Sequence, residues 1–310
     1  MRKESIIIII QKIMENNYDK YWIWFSRIKK LNVLQKRELL RIYQSPEKIW
    51  MLNKAELFNI RELDNQCIEE ILNEEYRKNI EKYIEYMRKN NIIMITINDK
   101  LYPNKLKELY DKPVVLFAKG NINLMNNNCV AIVGSRECTE YGKNEAQKLS
   151  YELAKNNMCI VSGLARGIDK YAHIGAIKAK GNTIAVIGNG LDNIYPYENQ
   201  KLAERIIENN GLIVTEYIVG TKPDKINFPA RNRIISGLSD GIVVVEAKEK
   251  SGALITADFG LEQGKEIFAV PGNINCQNSV GTNRLIQDGA NIVISYKDIE
   301  NPLKKLKKDF

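Results

Sequence analysis

Seven short apolar runs recur through the second half of the chain, and their spacing restricts the fold more than any other feature of the sequence. They fall at 130–133, 159–161, 184–187, 212–214, 242–245, 267–270 and 292–294. Amphipathic stretches with helical spacing lie between most of them, near 142–156, 169–180, 198–209, 229–239, 252–263 and 279–289. A run of Val, Ile and Leu without polar alternation suits a strand covered on both faces, and strands joined through helices lie parallel. The spacing therefore predicts an α/β fold, a doubly wound and mostly parallel sheet with helices on both faces. Open sheets of this kind bind ligands outside the C-terminal ends of their strands.

Four segments at those ends carry chemistry. In CVAIVGSRECTEY (129–141) a strand stops at Gly134, exposes Ser135 and Arg136, and leads into a helix. Unpaired N–H groups at such a place suit an anion. Dinucleotide loops keep small residues here, whereas an arginine fork fits a phosphodiester. SGLARGID (162–169) supplies Gly163 and Gly167 for unusual backbone angles, a second guanidinium in Arg166, and Asp169 as a helix cap. GNGLDNIYPYEN (188–199) is rich in turn residues. In KINFPARNRIISG (225–237), Pro229 fits a first helical turn, so Arg231 and Arg233 sit early in a helix with Lys225 and Phe228 just before it. Cations there oppose the helix dipole, a small cost that a bound anion explains.

Each feature also has an ordinary structural reading: a common Gly-Ser turn, a surface Arg166, a capping Asp169, a core Phe228. Together they make arginines at two strand ends, a third cationic cluster and one aromatic. Single-stranded nucleic acid is bound by that combination, with cations following the phosphates and a ring stacking a base.

Charge supports a polyanionic partner only locally. The 310 residues carry a formal charge of +8 and a pI near 9.0, but residues 1–128 hold 23 Lys+Arg against 17 Asp+Glu, and residues 129–310 hold 23 against 21. A nucleic-acid site on the sheet must therefore be a cluster, not a basic surface. The five cysteines stand at no metal-like spacing and His173 is the single histidine, so a zinc site is not expected. No cofactor is implied. The SIIIII run at 5–10 is too short for a signal-peptide core, and no segment approaches the roughly 20 apolar residues of a membrane span. A soluble, cytoplasmic protein is expected.

Residues 1–90 contain no glycine and show helical spacing, which predicts several short helices in a small bundle. Ser45-Pro46-Glu47 reads as a helix start. RIKKLNVLQKRELLRIY (27–43) has the outline of a helix–hairpin–helix, but Leu31-Asn32-Val33 stands where the hairpin needs glycine. A DNA clamp and a bundle used for packing or partner contact both remain open. Residues 91–128 read as a linker with two short strands, 92–97 and 114–118, that extend the main sheet or its edge. Residues 129–296 form the main domain and 297–310 a basic tail.

The motifs GSRxxTxYG (134–142), SGLARGID (162–169), FPxRNRIISGLSD (228–240), SGALITA (251–257), AVPGN (269–273) and GTNxLIxxGA (281–290) resemble those of the DNA-processing protein A family, also called Smf or DprA. YPxxL (102–106) and DKPxxLF (111–117) continue the resemblance into the linker. It implies a Rossmann-like domain preceded by a bundle like a sterile alpha motif or helix–hairpin–helix. It further implies a homodimer that binds single-stranded DNA entering during natural transformation, protects it, hands it to RecA for homologous recombination and helps displace single-strand-binding protein. Arg136 and Arg166 would meet phosphates, Lys225 would add a contact and Phe228 would stack a base. Arg231, Asn232 and Arg233 would complete or support the pocket. Gly134 and Ser135 would offer backbone N–H groups, and Asn283 would lie near the same crevice. Many family members carry a winged-helix-like domain at the C-terminus, and none is expected here after the tail LKKLKKDF.

The rival reading is a nucleotide-binding Rossmann-like enzyme of the N-glycosidase or nucleotide-processing type. It needs a carboxylate by the sugar, for which Glu216, Glu246 or Asp258 are candidates. An NAD-dependent oxidoreductase fits less well, because GSRECT lacks the glycine spacing and Ser162-Gly163-Leu164 stands where an acidic residue belongs.

Overall fold

A computed structural model describes residues 20–306; the SIIIII run and the last residues of the basic tail lie outside the described residues. Seven described helices precede the sheet: α1 Lys20–Arg27, α2 Val33–Tyr43, α3 Pro46–Trp50, α4 Lys54–Phe58, α5 Asn65–Leu72, α6 Glu74–Arg77 and α7 Ile80–Lys89. Ser45 caps α3 with Pro46 at its first position, as the sequence suggests. Before α2 the chain departs from the hairpin outline. Asn32 has φ −69°, outside the left-handed region, and its side chain accepts from the Gln35 N–H at 2.9 Å in a capping box. The Asn32 N–H in return donates to the Gln35 side-chain oxygen at 2.9 Å, so this amide of the turn is satisfied within the chain.

Trp24, Phe25, Ile49 and Ile71 fill the bundle, and their core runs on without a break to Met94, Val115 and Phe117. Those last residues belong to two strands of the main sheet, β1 Ile93–Thr96 and β2 Val115–Gly120, between which lies the short helix α8 Asn104–Lys107. The linker-like segment is therefore part of the sheet.

The remaining elements alternate as expected. They are β3 Cys129–Val133, α9 Glu140–Lys155, β4 Cys159–Ser162, α10 Ile168–Lys178, β5 Thr183–Val186, α11 Gln200–Glu208, β6 Leu212–Thr215, α12 Asn227–Leu238, β7 Gly241–Val244, α13 Gly252–Glu262, β8 Glu266–Ala269, α14 Val280–Gln287, β9 Asn291–Ile292 and α15 Lys297–Leu306. One nine-stranded sheet results, in the order β1-β2-β6-β5-β4-β3-β7-β8-β9. The pairs from β6 to β9 are parallel. β2 runs antiparallel to both β1 and β6. This is the mixed, mostly parallel, Rossmann-like sheet expected.

β3 shows why its run is apolar throughout. Cys129, Ala131 and Val133 share a core with Ile234, Ile235 and Leu238 of α12 on one face. Val130 and Ile132 join Leu149 and Leu153 of α9 on the other. Each fully buried Val or Ile adds about 1.5–3 kcal/mol. The segment read as a basic tail is, over Lys297–Leu306, a helix whose Ile299 and Leu303 enter the same core as Val243 and Phe268. Its lysines stay outside because the helical period separates them from Ile299 and Leu303. Among the described residues, no helix is long and apolar enough to cross a membrane.

Candidate nucleic-acid interface

The winding reverses at β3, with β4, β5 and β6 to one side and β7, β8 and β9 to the other. A crevice opens outside the C-terminal ends of β3 and β7, the switch point where such sheets hold ligands. It is a cleft of about 590 Å³ whose walls include Gly134, Ser135 and Arg136 after β3, Asp169, Tyr195, Lys225, Phe228 and Arg231, and Lys250 and Gly252 after β7.

The loop after β3 differs from a phosphate cradle. Ser135 is buried and its N–H donates to the Glu246 carbonyl at 2.7 Å, so that group is not available to a ligand. Helix α9 begins only at Glu140, and its N-terminus is already served by a carboxylate. The Thr139 N–H and hydroxyl donate to Glu246 at 2.9 and 2.5 Å, and Thr139 caps the helix through Gly142. A second anion there would meet the Glu246 charge. What the loop does present is Arg136, exposed, with its guanidinium 5.5 Å from the centre of the Phe228 ring.

After β4, Gly167 takes φ +67°, and any Cβ on it would collide with the Ser135 carbonyl. The two loops are thereby pressed together, and Ile168 N–H donates back to Ser135 O at 3.1 Å. Asp169 is buried and accepts from the Gly163 N–H at 3.0 Å, while burial raises its carboxyl above the usual range. Arg231 lies across this floor. Its guanidinium donates to the Gly163 carbonyl at 2.7 Å and to the Val186 carbonyl, bracing the ends of β4 and β5. Burial lowers its pKa to about 10, against the opposing pull of Asp169. Gly163 is required because the Arg231 guanidinium occupies the space of its missing side chain.

The twelve expected site residues separate into three groups. Gly134, Ser135, Arg136, Lys225, Phe228, Arg231 and Asn232 line the cleft, and Asn232 ties α12 to the Gly252 carbonyl at 3.2 Å. Gly163 and Gly167 shape its floor from beneath. Arg166, Arg233 and Asn283 are not among the lining residues. Arg166 is exposed and paired with Glu198 through two 2.8 Å bonds. Arg233 is turned to the far side of α12, buried, and held by the Glu216 carboxylate at 2.6 and 2.7 Å and by Asp111 at 3.1 Å. Burial opposes its charge, but Glu216 outweighs that and raises its pKa. Asn283 exchanges hydrogen bonds with Gly272 instead of facing the crevice.

The sequence reading passed over Tyr195, Lys248 and Lys250, which the fold brings to the same cleft. Tyr195 sat unassigned in the turn-rich 188–199 loop, and the two lysines immediately precede the SGALITA run. Lys248 pairs with Glu137 at 3.0 Å. The carboxylates considered for an enzyme do not line the cleft: Glu216 serves Arg233, Glu246 serves Thr139, and Asp258 lies exposed along α13.

The family model for DNA recombination-mediator protein A matches residues 93–304. The chain is 46% identical to the DNA processing protein DprA of Bacillus subtilis over 227 residues, 73% of this chain and 76% of the relative. It is 37% identical to Protein Smf of Synechocystis over 290 residues, 92% of this chain and 73% of that one. Among solved structures, DNA processing protein A from Streptococcus pneumoniae is similar with a TM-score of 0.79 at 38% identity, covering 91% of this chain and 97% of that one. DNA processing protein A from Helicobacter pylori, whose structure concerns its single-stranded DNA binding mode, gives a TM-score of 0.61 at 35% identity over 70% of this chain and 97% of that one.

Proposed function

The chain belongs to the DNA recombination-mediator protein A family and acts in DNA processing, and from that premise we propose that it binds single-stranded DNA in the cleft at the β3–β7 switch point. The observation that carries this reading is the Arg136–Phe228 pair: an exposed guanidinium beside a ring, at a cleft that also holds Lys225 and Lys250. Cations placed beside aromatic faces serve alternating phosphates and bases. Arg136 and Lys225 meet phosphates, Phe228 meets a base, and Arg231 and Asn232 hold the walls. In this reading the protein is not an enzyme, works in the cytoplasm as a homodimer, protects incoming strands during natural transformation, and loads RecA on them past single-strand-binding protein. The family relationship supports those roles.

Fluorescence anisotropy of a labelled oligothymidine across a salt series tests the binding step, with duplex DNA, AMP and NAD as competitors. Single strands are expected to win, with affinity falling steeply as salt rises. Arg136→Ala should weaken binding and reduce the salt slope by about one. Phe228→Ala should weaken it with the slope nearly unchanged. Equal affinity for duplex, or preference for NAD, overturns the reading.

A further inference from the structure

Resting on the single-stranded DNA reading, we propose that Tyr195 forms a second base-stacking subsite, which carries the strand out of the cleft toward Arg166. Its ring stacks on Phe228 with centroids 5.5 Å apart and planes at 25°. One face of Phe228 is therefore covered by Tyr195, and a base reaches that ring only from the side of the exposed Arg136, whose guanidinium stands 5.5 Å from its centre. Tyr195 itself lines the cleft and remains 45% exposed. Tyr195 keeps one side of its ring on Phe228 while nearly half of the residue stays open, which leaves room for a ligand against it. Bases stack on such faces without regard to sequence, because each has a π-surface.

The neighbour on the far side fits the same strand. Ala165 forms part of the cleft wall, and Arg166 follows it directly. Arg166 is paired with Glu198, three residues beyond Tyr195, and Asn199 donates to the Ala165 carbonyl at 3.1 Å, so the loop that carries Tyr195 lies against Arg166. Arg136, Phe228, Tyr195 and Arg166 thus form a succession of cation, ring, ring and cation. The Arg166–Glu198 pair does not block this. Its side chains are 59% and 50% exposed, and an exposed ion pair is weak, so a phosphate oxygen takes over the guanidinium at little cost.

A tyrosine that merely buttresses Phe228 would look similar, so the test separates support from stacking. Binding by full-length wild type, Tyr195→Ala and Tyr195→Phe is measured by anisotropy on oligothymidine and on an abasic oligomer of equal length. On oligothymidine, Tyr195→Ala is expected to lose roughly tenfold in affinity, with the salt slope unchanged and Tyr195→Phe close to wild type. On the abasic oligomer, the wild type and Tyr195→Ala are expected to bind alike. Tyr195→Ala binding oligothymidine as wild type does overturns the subsite while leaving the function intact. Equal losses on both oligomers also overturn it, and assign Tyr195 to support. A wild type that ignores oligothymidine overturns the functional reading itself.

Discussion

Arg231 and Arg233 stand two positions apart on one helix and do different work, because two residues turn an α-helix through about 200°. Arg231 braces the cleft floor, whereas Arg233 neutralises Glu216 and Asp111 on the opposite side. Sequence placed both at the site because the early-helix position was visible and the face was not. Removing Arg233 strands two carboxylates, one largely buried, so Arg233→Ala should cost about 3–5 kcal/mol of stability, read as a fall in the urea midpoint. Arg136→Ala, on an exposed side chain, should leave the stability read from that midpoint within about 0.5 kcal/mol of wild type. His173 makes a different prediction. It is fully buried, its ring Nδ1 lies 2.7 Å from the Thr183 hydroxyl, and that hydroxyl donates to the Ile160 carbonyl. The ring must therefore donate from Nδ1, and burial first, then Arg231, lowers its pKa to about 3. The folded pKa lies below the unfolded value, so the contribution is complete above about pH 6.5 and is lost as pH falls toward the folded value. Near pH 5.5 the loss is about 1.4 kcal/mol, and His173→Gln should flatten the melting temperature between pH 7 and 5.

At the scale of elements, the strands were legible because burial on both faces removes polar residues from a run. Helices were legible from their period, and α3 from its Ser-Pro start. The latch between β3 and β7 was not legible. Glu246 reaches Thr139 across 107 positions of sequence, and nothing local in either segment announces the other. For the same reason the glycine after β3 looked like an anion cradle, although the fold has already supplied the anion. Glu246→Ala should leave the Thr139 N–H and hydroxyl without their partner, costing about 2 kcal/mol. Faster hydrogen exchange at residues 139–142 than elsewhere in α9 would check it. Unchanged exchange there would mean that Thr139 alone holds the helix start.

For the whole molecule, the shared core of bundle and sheet matters most. Phe117, Val115 and Met94 face the helices, so neither part has a complete core by itself. The chain should unfold in one cooperative transition by far-ultraviolet ellipticity. A chain shortened to residues 92–310 should melt lower and self-associate through the uncovered face. If it stays monomeric and melts with the full chain, the bundle is an independent unit. The change from helices to strands after Lys89 was legible as a change of composition, but the packing across it was not, since burial of β2 against helices leaves no mark on spacing. One last consequence concerns light. All three tryptophans, Trp22, Trp24 and Trp50, sit in the bundle, with Trp24 and Trp50 edge to face at 5.1 Å. Intrinsic emission excited at the red edge of the protein band therefore reports on the bundle alone and is blind to the cleft. A spectral change on adding an oligonucleotide would mean that the bundle senses the strand, either by touching it or through the core it shares with Val115, Phe117, Ile218 and Val219, a signal that needs no label to be read.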